Sequence, residues 1–320
     1  MFSVFRSQKL SALGRRLSRP KGLWTTAIYT QNNEYQLGDP LLSKPFLLSP
    51  ENRWWRSDEL QAVADPFLVA ADGKLFLFVE AEPTGGPGRI DVYSTDDGVA
   101  WTRQGTCLSE RHHLAYPFVF SIGPDFYLIP HASSSGEVPL YQFHDFPFGV
   151  QKVRTLLRGT FSDSSAIKSG GIWYLFTTSE AGLQIFYTDD LREGVLKPHV
   201  SNPIVSDAVF ARCGGGVICF GEELFRLGQD CSRRYGGNLQ LFKVEELSPT
   251  VYSEKLVHPG LLRPTARWNR QGGHHVSIAP FQGKTFVAVD GLRHSYVAHK
   301  LGGWVARRLR KVSSSQASSL

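Results

Sequence analysis

The chain has 320 residues, 42% of them hydrophobic and 20% charged, a globular composition long enough for one large β domain or two ordinary ones and unlike that of a disordered protein. Its net charge of +6 is carried by the ends, because residues 1–22 hold six Lys or Arg, residues 300–320 hold five, and neither stretch has an acid. Taking those eleven bases from the total of 35 leaves twenty-four against 29 acids, so the body is mildly acidic, which argues against a groove that tracks nucleic-acid phosphates.

In chain order, residues 1–22 read as a basic, disordered tail without the continuous apolar run of a secretory signal; their Arg and Ser content also fits an organellar import segment. No stretch approaches the length of a membrane span, so a soluble protein is expected, cytoplasmic by default. Residues 23–304 are expected to be one all-β domain. "GLWTTAIYT" opens it as a candidate closing strand, and five hairpin units follow: "DPFLVAADGKLFLFVEAE", "YPFVFSIGPDFYLIPHAS", "DSSAIKSGGIWYLFTTSE", "GGGVICFGEELFRLGQDC" and "HVSIAPFQGKTFVAVDG". Each is an apolar strand, a Gly-containing turn and a second apolar strand. A third strand follows each: "IDVYSTDDG", "PLYQFHDF", "LQIFYTDDL", "LQLFKVEEL" and, more weakly, "SYVAHKLGGW". Antiparallel units repeated at this spacing predict a five-bladed β-propeller. Residues 305–320 read as a basic, Ser-rich tail. The four cysteines (Cys107, Cys213, Cys219, Cys231) form no CxxC or Cys/His cluster, so buried free thiols are expected, with Cys213–Cys219 or Cys107–Cys231 bridges as alternatives.

Register turns the repeat into a site. The start of a hairpin's first strand and the end of its second lie at one end of the ladder. The pairs Asp65 and Glu80, Tyr116 and His131, Asp163 and Thr177, Arg212 and Gln229, and His275 and Asp290 should therefore share one rim of the channel. Asp230, Arg234 and Tyr235, from "RLGQDCSRRYGG", leave from that rim, and His113 lies beside Tyr116. Arg226, within a strand, is expected to face the interior and pair with a carboxylate, or to offer donors to a sugar. Adjacent strand residues point oppositely, so His112 and His113 are not expected to ligate one metal ion.

In this order, "ADPF", "HHLAYPFVF", "DSSA", "WYLF", "DAVFARCGG", "QDCSRRYG" and "GHHVS" resemble the domain that is N-terminal in plant glucosamine inositolphosphorylceramide transferases and occurs in bacterial relatives. The resemblance covers residues 55–292. It implies a five-bladed propeller similar to glycoside hydrolase family 43, and a carbohydrate-handling module. Such enzymes use an Asp on blade one as base, an Asp on blade three to orient and tune, and a Glu on blade four as acid. Asp65 and Asp163 match the first two. The third is unmatched, since Glu222 and Glu223 fall at the opposite end of their hairpin, and His131 stands where relatives carry Glu.

Two functions follow. One is glycoside hydrolase-like, with Asp65 as base, Asp163 as tuner and Asp230 or Glu80 as acid, since such chemistry needs one ionised and one protonated carboxyl. The other is a non-catalytic module that binds a glycan or sugar nucleotide beside a separate glycosyltransferase. In either, Glu80, His113, Tyr116, His131, Arg212, Arg226, Gln229, Arg234, Tyr235, His275 and Asp290 are substrate-binding candidates. No cofactor or metal ligand set is expected, although a structural Ca²⁺ in the channel is compatible with a ring of carboxylates.

Overall fold

The computed structural model describes residues 21–49, 60–83, 85–207, 209–264 and 266–295. Residues Trp24–Leu292 form one compact unit. The other, Met1–Leu23 with Arg293–Leu320, is described only at residues 21–23 and 293–295, where two strands of the first unit end. The expected tails lie outside the described residues, apart from 21 and 22.

Regular structure among the described residues is β except for two single 3₁₀ turns, Ser133–Ser135 and Arg267–Asn269. Three antiparallel sheets have four strands each. The first holds β7 (Ala115–Ile122), β8 (Asp125–His131), β9 (Glu137–Asp145) and β10 (Phe148–Arg158). The second holds β11 (Ser162–Ser169), β12 (Ile172–Ser179), β13 (Gly182–Thr188) and β14 (Lys197–Pro198), and the third β15 (Ile218–Phe220), β16 (Glu223–Asp230), β17 (Asn238–Leu247) and β18 (Tyr252–His258). An eight-stranded sheet contains β3 (Leu60–Ala71), β4 (Lys74–Pro83), β5 (Arg89–Thr95) and β6 (Thr102–Leu108). These join β1 (Lys21–Gln31) through one parallel pair, Trp24 with Ala62. Beyond it, β1 pairs with β20 (Lys284–Ser295) and with β2 (Phe46–Leu48), and β20 pairs with β19 (Val276–Phe281).

Turn chemistry sets the hairpins. Asp72 and Gly73 have φ of +49° and +72°, and Gln282 and Gly283 have +47° and +68°, the paired left-handed conformation whose twist suits two-residue hairpin loops. Strand β4 is buried on both faces from Leu75 to Ala81. Sheets packed face to face on both sides remove the polar alternation of a solvent-facing strand, which is why Leu75–Val79 is a continuous apolar run. One core cluster accordingly joins Phe78 and Ile90 of one sheet to Leu128 and Leu140 of the next and Leu175 and Phe176 of a third. All four cysteines are free, as expected, but only Cys213 is fully buried; Cys107 and Cys231 are half-buried and Cys219 is exposed.

A repeated irregularity positions the site. In β3 the pairing jumps between Ala64 with Glu80 and Phe67 with Phe78. In β7 it jumps between Ala115 with His131 and Phe118 with Ile129, and in β11 between Ser162 with Thr178 and Ser165 with Phe176. Each is a bulge of two residues opposite one. The first bulged residue is Asp65, Tyr116 or Asp163, with φ of +48°, +44° and +54°. Pro follows in two cases, and Pro, having no N–H to leave unpaired, suits the second position of a bulge.

Candidate active site

The first bulge, through Asp65, and the pair beside the second, Ala115 and His131, line a cavity of about 220 Å³, with Asp163 of the third behind its wall. Six of the residues expected from sequence line it: Asp65, Glu80, His113, His131, Arg212 and Tyr235. Trp24, Glu82 and His274, which sequence reasoning missed, complete its functional wall. Glu82 carried a usable signal, since on a strand residue i+2 shares the face of residue i, here Glu80. Trp24 lies in the stretch read only as a closing strand, and His274 was passed over for its neighbour.

Asp65 is buried, and its Oδ2 accepts the Tyr116 backbone N–H at 3.0 Å. Its Oδ1 lies 3.5 Å from His275 Nδ1 and 3.7 Å from His274 Nδ1. Burial pushes its pKa up, but the His275 contact and the charges of His274 and His275 outweigh this and hold the carboxyl below its ordinary value. Glu80 behaves oppositely. Burial, with the charges of Asp65 and Glu82, lifts its pKa to about 7 despite the contact between its Oε1 and His113 Nε2 at 3.2 Å. His113 Nδ1 accepts the Gly88 N–H at 3.0 Å, which leaves Nε2 to carry the imidazole proton toward Glu80. Glu80 in turn raises the His113 pKa. Two carboxyls on paired strands are thus driven apart in protonation.

Asp163 sits behind the cavity wall with both oxygens engaged. Its Oδ1 is 2.9 Å from His131 Nδ1 and its Oδ2 accepts from Arg212 Nε at 2.5 Å. Burial opposes ionisation, but the Arg212 charge and the His131 bond win and keep the pKa well below the usual range. The Arg212 guanidinium lies 5.0 Å from the centre of the Tyr235 ring. Trp24 stacks on His274 at 4.1 Å, with Tyr235 edge-on to both. Asp290 and His275 lie behind Asp65. Asp290 Oδ1 accepts the His274 and His275 backbone N–H groups at 2.7 and 3.0 Å, and its Oδ2 stands 2.5 Å from His274 Nδ1. Burial would lower the His274 pKa, but Asp290 and Asp65 raise it to about 9.

Besides Asp163, His275 and Asp290, which lie behind the lining, five expected residues are not brought to the cavity. The Asp230 oxygens accept from the Ser232 N–H at 2.9 Å and from Gln240 Nε2 at 3.1 Å, so the carboxylate closes a turn and leans toward β17. Gln229 bonds the Cys213 carbonyl through Nε2 at 2.9 Å and fixes the Arg212 segment. Arg226 does face the interior and does pair with a carboxylate, Glu254, through Nε and Nη2 at 2.6 Å each, over the Phe242 ring; it has no donor for a ligand at the cavity. Arg234 bonds Gln271 on the surface. Tyr116 has a fully buried ring against Phe67 and His275, and its hydroxyl donates to the Gly215 carbonyl at 2.6 Å.

Asp65, His274 and Asp290 bring ligand atoms within 4.8 Å of one another. They do not fit Ca²⁺, which takes six to eight oxygens: one of the three donors is an imidazole nitrogen, 2.5 Å from Asp290 Oδ2, and Asp290 Oδ1 already accepts two backbone N–H groups.

Residues 55–291 match the model of the N-terminal region of glucosamine inositolphosphorylceramide transferase 1. The chain belongs to this family. It is 35% identical over 247 residues to the glucosamine inositolphosphorylceramide transferase 1 of Oryza sativa subsp. japonica, which covers 72% of this chain and 33% of that one. The Arabidopsis thaliana protein of the same name is 32% identical over 248 residues, covering 72% and 32%. The chain therefore spans about a third of the length of these relatives. Among solved structures, an α-L-arabinofuranosidase of family 43 from Clostridium thermocellum superposes with a TM-score of 0.52 at 16% identity, covering 70% of this chain and 80% of that one. A β-1,2-mannobiose phosphorylase from Listeria innocua gives 0.55 at 15%, covering 82% and 96%. At such identities the likeness is one of fold. The N-terminal transferase region thus shares the all-β architecture of family-43 hydrolases.

Proposed function

We propose that the chain is a five-bladed β-propeller whose rim cavity takes one sugar residue of a glycan, with Asp65 and Glu80 as an acid–base pair at its glycosidic bond. The blade count rests on dividing the eight-stranded sheet at its single parallel pair, which leaves β3–β6 as one blade and β19, β20, β1 and β2 as another. The observation that carries the function is the opposed protonation of Asp65 and Glu80 on one wall of one cavity. Two carboxyls whose surroundings push their pKa values apart supply the ionised and the protonated partner that glycosidic cleavage needs. Glu80 is then the acid, in place of a blade-four Glu. Asp163, held ionised by Arg212, sets the local charge, while Trp24 and Tyr235 offer apolar ring surface and Arg212 offers donors to hydroxyls.

A second reading is a sugar-binding module beside a glycosyltransferase. It is favoured by the full engagement of both Asp163 oxygens and by relatives, about a third of whose length matches this chain, that are named as transferases. A panel of aryl glycosides and matching oligosaccharides separates the two. The acid–base reading expects turnover that falls about 10²-fold or more in Asp65→Asn and in Glu80→Gln, with binding by calorimetry retained. Binding without turnover in the wild type selects the module. Binding unaffected by Arg212→Ala and Trp24→Ala refutes the cavity as the site.

A further inference from the structure

His131 of the cavity lining also joins a second constellation, with Asp163 behind the wall and Ser133, a residue the glycosidic reading does not use. Ser133 Oγ lies 2.8 Å from His131 Nε2, and His131 Nδ1 lies 2.9 Å from Asp163 Oδ1. This is a hydroxyl, an imidazole and a carboxylate in line, the two ring nitrogens engaged by different partners. Asp163, on another sheet, is ionised and takes the Nδ1 proton, which leaves Nε2 as the acceptor facing the hydroxyl. A serine two residues from a histidine could bond it for local reasons alone. The carboxylate from β11, on the far nitrogen and fixed there by Arg212, is what a local bond does not require.

We propose that Ser133, His131 and Asp163 form a nucleophilic triad that cleaves short-chain carboxylic esters, with the acyl group held in the cavity that His131 lines. The roles follow from geometry. Ser133 Oγ forms a bond to the ester carbonyl carbon as its proton passes to His131 Nε2. The tetrahedral intermediate collapses, the ester C–O bond breaks, and the leaving alkoxide takes that proton. Water, deprotonated by the same nitrogen, attacks the acyl-serine, and carboxylate departs as the hydroxyl is restored. Ester and water thus give carboxylate, alcohol and a proton. Asp163 holds the imidazole in orientation and stabilises its cationic form. Arg212 is the one guanidinium on the lining among the described residues, and its Nε bond to Asp163 brings it beside His131, where its remaining N–H groups can meet the oxyanion. Ser133 is half-buried, within reach of a reagent from solvent. Ser133 is not itself on the lining, but its partner His131 is, and that cavity of about 220 Å³ admits a short acyl group and not a long one.

The test uses the full chain with a fluorophosphonate probe, and with 4-nitrophenyl acetate and 4-nitrophenyl octanoate. The expected result is one label per chain, mapped to Ser133 by peptide mass spectrometry, and hydrolysis of acetate at least tenfold faster than of octanoate. Ser133→Ala should lose the label and about 10²-fold or more of the acetate hydrolysis, at an unchanged melting temperature. His131→Gln should lose the label as well. Should that variant unfold, Ser133→Ala, which removes only a half-buried hydroxyl, still decides the matter. A label elsewhere, no label, or undiminished hydrolysis in Ser133→Ala overturns the proposal. Glycan binding by Ser133→Ala should equal that of wild type, so absence of glycan binding from a protein that is labelled at Ser133 counts against the glycosidic reading alone.

Discussion

The proton on Glu80 has a consequence for stability that can be measured without knowing a substrate. A glutamate held near 7 in the folded chain and near its ordinary 4.5 in the unfolded chain binds its proton more tightly when folded. Between those two values the folded state holds the proton and the unfolded state does not, so stability falls as pH rises. The full difference is about 2.5 pKa units, or about 3 kcal/mol at 1.36 kcal/mol per unit. Glutamine mimics the neutral acid and cannot ionise. Glu80→Gln should therefore match wild type near pH 4.5 and exceed it by up to about 3 kcal/mol at pH 8. For a unit of about 270 residues the unfolding entropy is about 0.6 kcal/mol/K, which converts the gain to about 5 °C. The His113 contact acts against the shift and is already contained in the value of about 7. Calorimetric melting of both proteins at pH 5, 6, 7 and 8 reads the divergence. A difference that stays flat with pH, or one in which wild type gains on the variant as pH rises, refutes the assignment of a buried, high-pKa acid.

Three further outcomes test other parts of the structure. Glu254→Gln leaves the buried Arg226 guanidinium without its carboxylate and should cost about 3–5 kcal/mol, a drop in melting temperature of roughly 5–9 °C, whereas Arg226→Met with Glu254→Leu should restore much of it. Asp230→Asn should change sugar binding and any turnover less than threefold, since Asp230 closes a turn outside the cavity; a loss of 10²-fold would return it to the role of acid. Trp24→Ala should weaken sugar binding by about tenfold, corresponding to the ~1.4 kcal/mol of one aromatic contact, with the largest effect in the dissociation rate by surface plasmon resonance.

Register along the hairpins was legible because it depends on turn residues and on a period of two, both local properties. The expected partners Asp65 with Glu80, Tyr116 with His131 and Asp163 with Thr177 each fall within one position of the observed pairs. Direction was harder to read. Gln229 and Asp230 are adjacent on β16 and point oppositely, so an expectation that placed both at the rim had to fail for at least one. Gln229 turned inward to the Cys213 carbonyl and Asp230 turned toward Gln240, and neither reached the cavity. Tyr116 shares the bulge position of the two aspartates, yet its ring packs inward against Phe67 and His275 and does not line the cavity. From the stretch "RLGQDCSRRYGG" only Tyr235 lines the cavity. Trp24 could not be found from its neighbours in sequence. It comes to the site by a single parallel pair with Ala62, a long-range contact with no local pattern.

The bulges explain why the site is where it is. A left-handed backbone at a residue with a Cβ costs roughly 1–2 kcal/mol, and here it is adopted at the same ladder position in three successive hairpins. A conformation so disfavoured persists only where surrounding contacts hold it, and these contacts run between sheets. The bulged Tyr116 N–H is donated to Asp65 of the preceding sheet, and the Asp65 N–H lies 3.4 Å from Asp290 Oδ2, itself bound by His274 and His275. At Asp65 and Tyr116 the bulge thus turns a backbone donor away from its own ladder toward a carboxylate of another hairpin. The same turn lifts Asp65 and Asp163 out of the pleat alternation that would have sent them into an apolar face. Strain, inter-sheet bonding and the aim of the two aspartates are consequently one structural event. A substitution that relaxed the bulge, such as Asp65→Gly, would therefore remove a carboxylate and loosen the joint between two sheets at once, whereas Asp65→Asn separates the chemistry from the architecture.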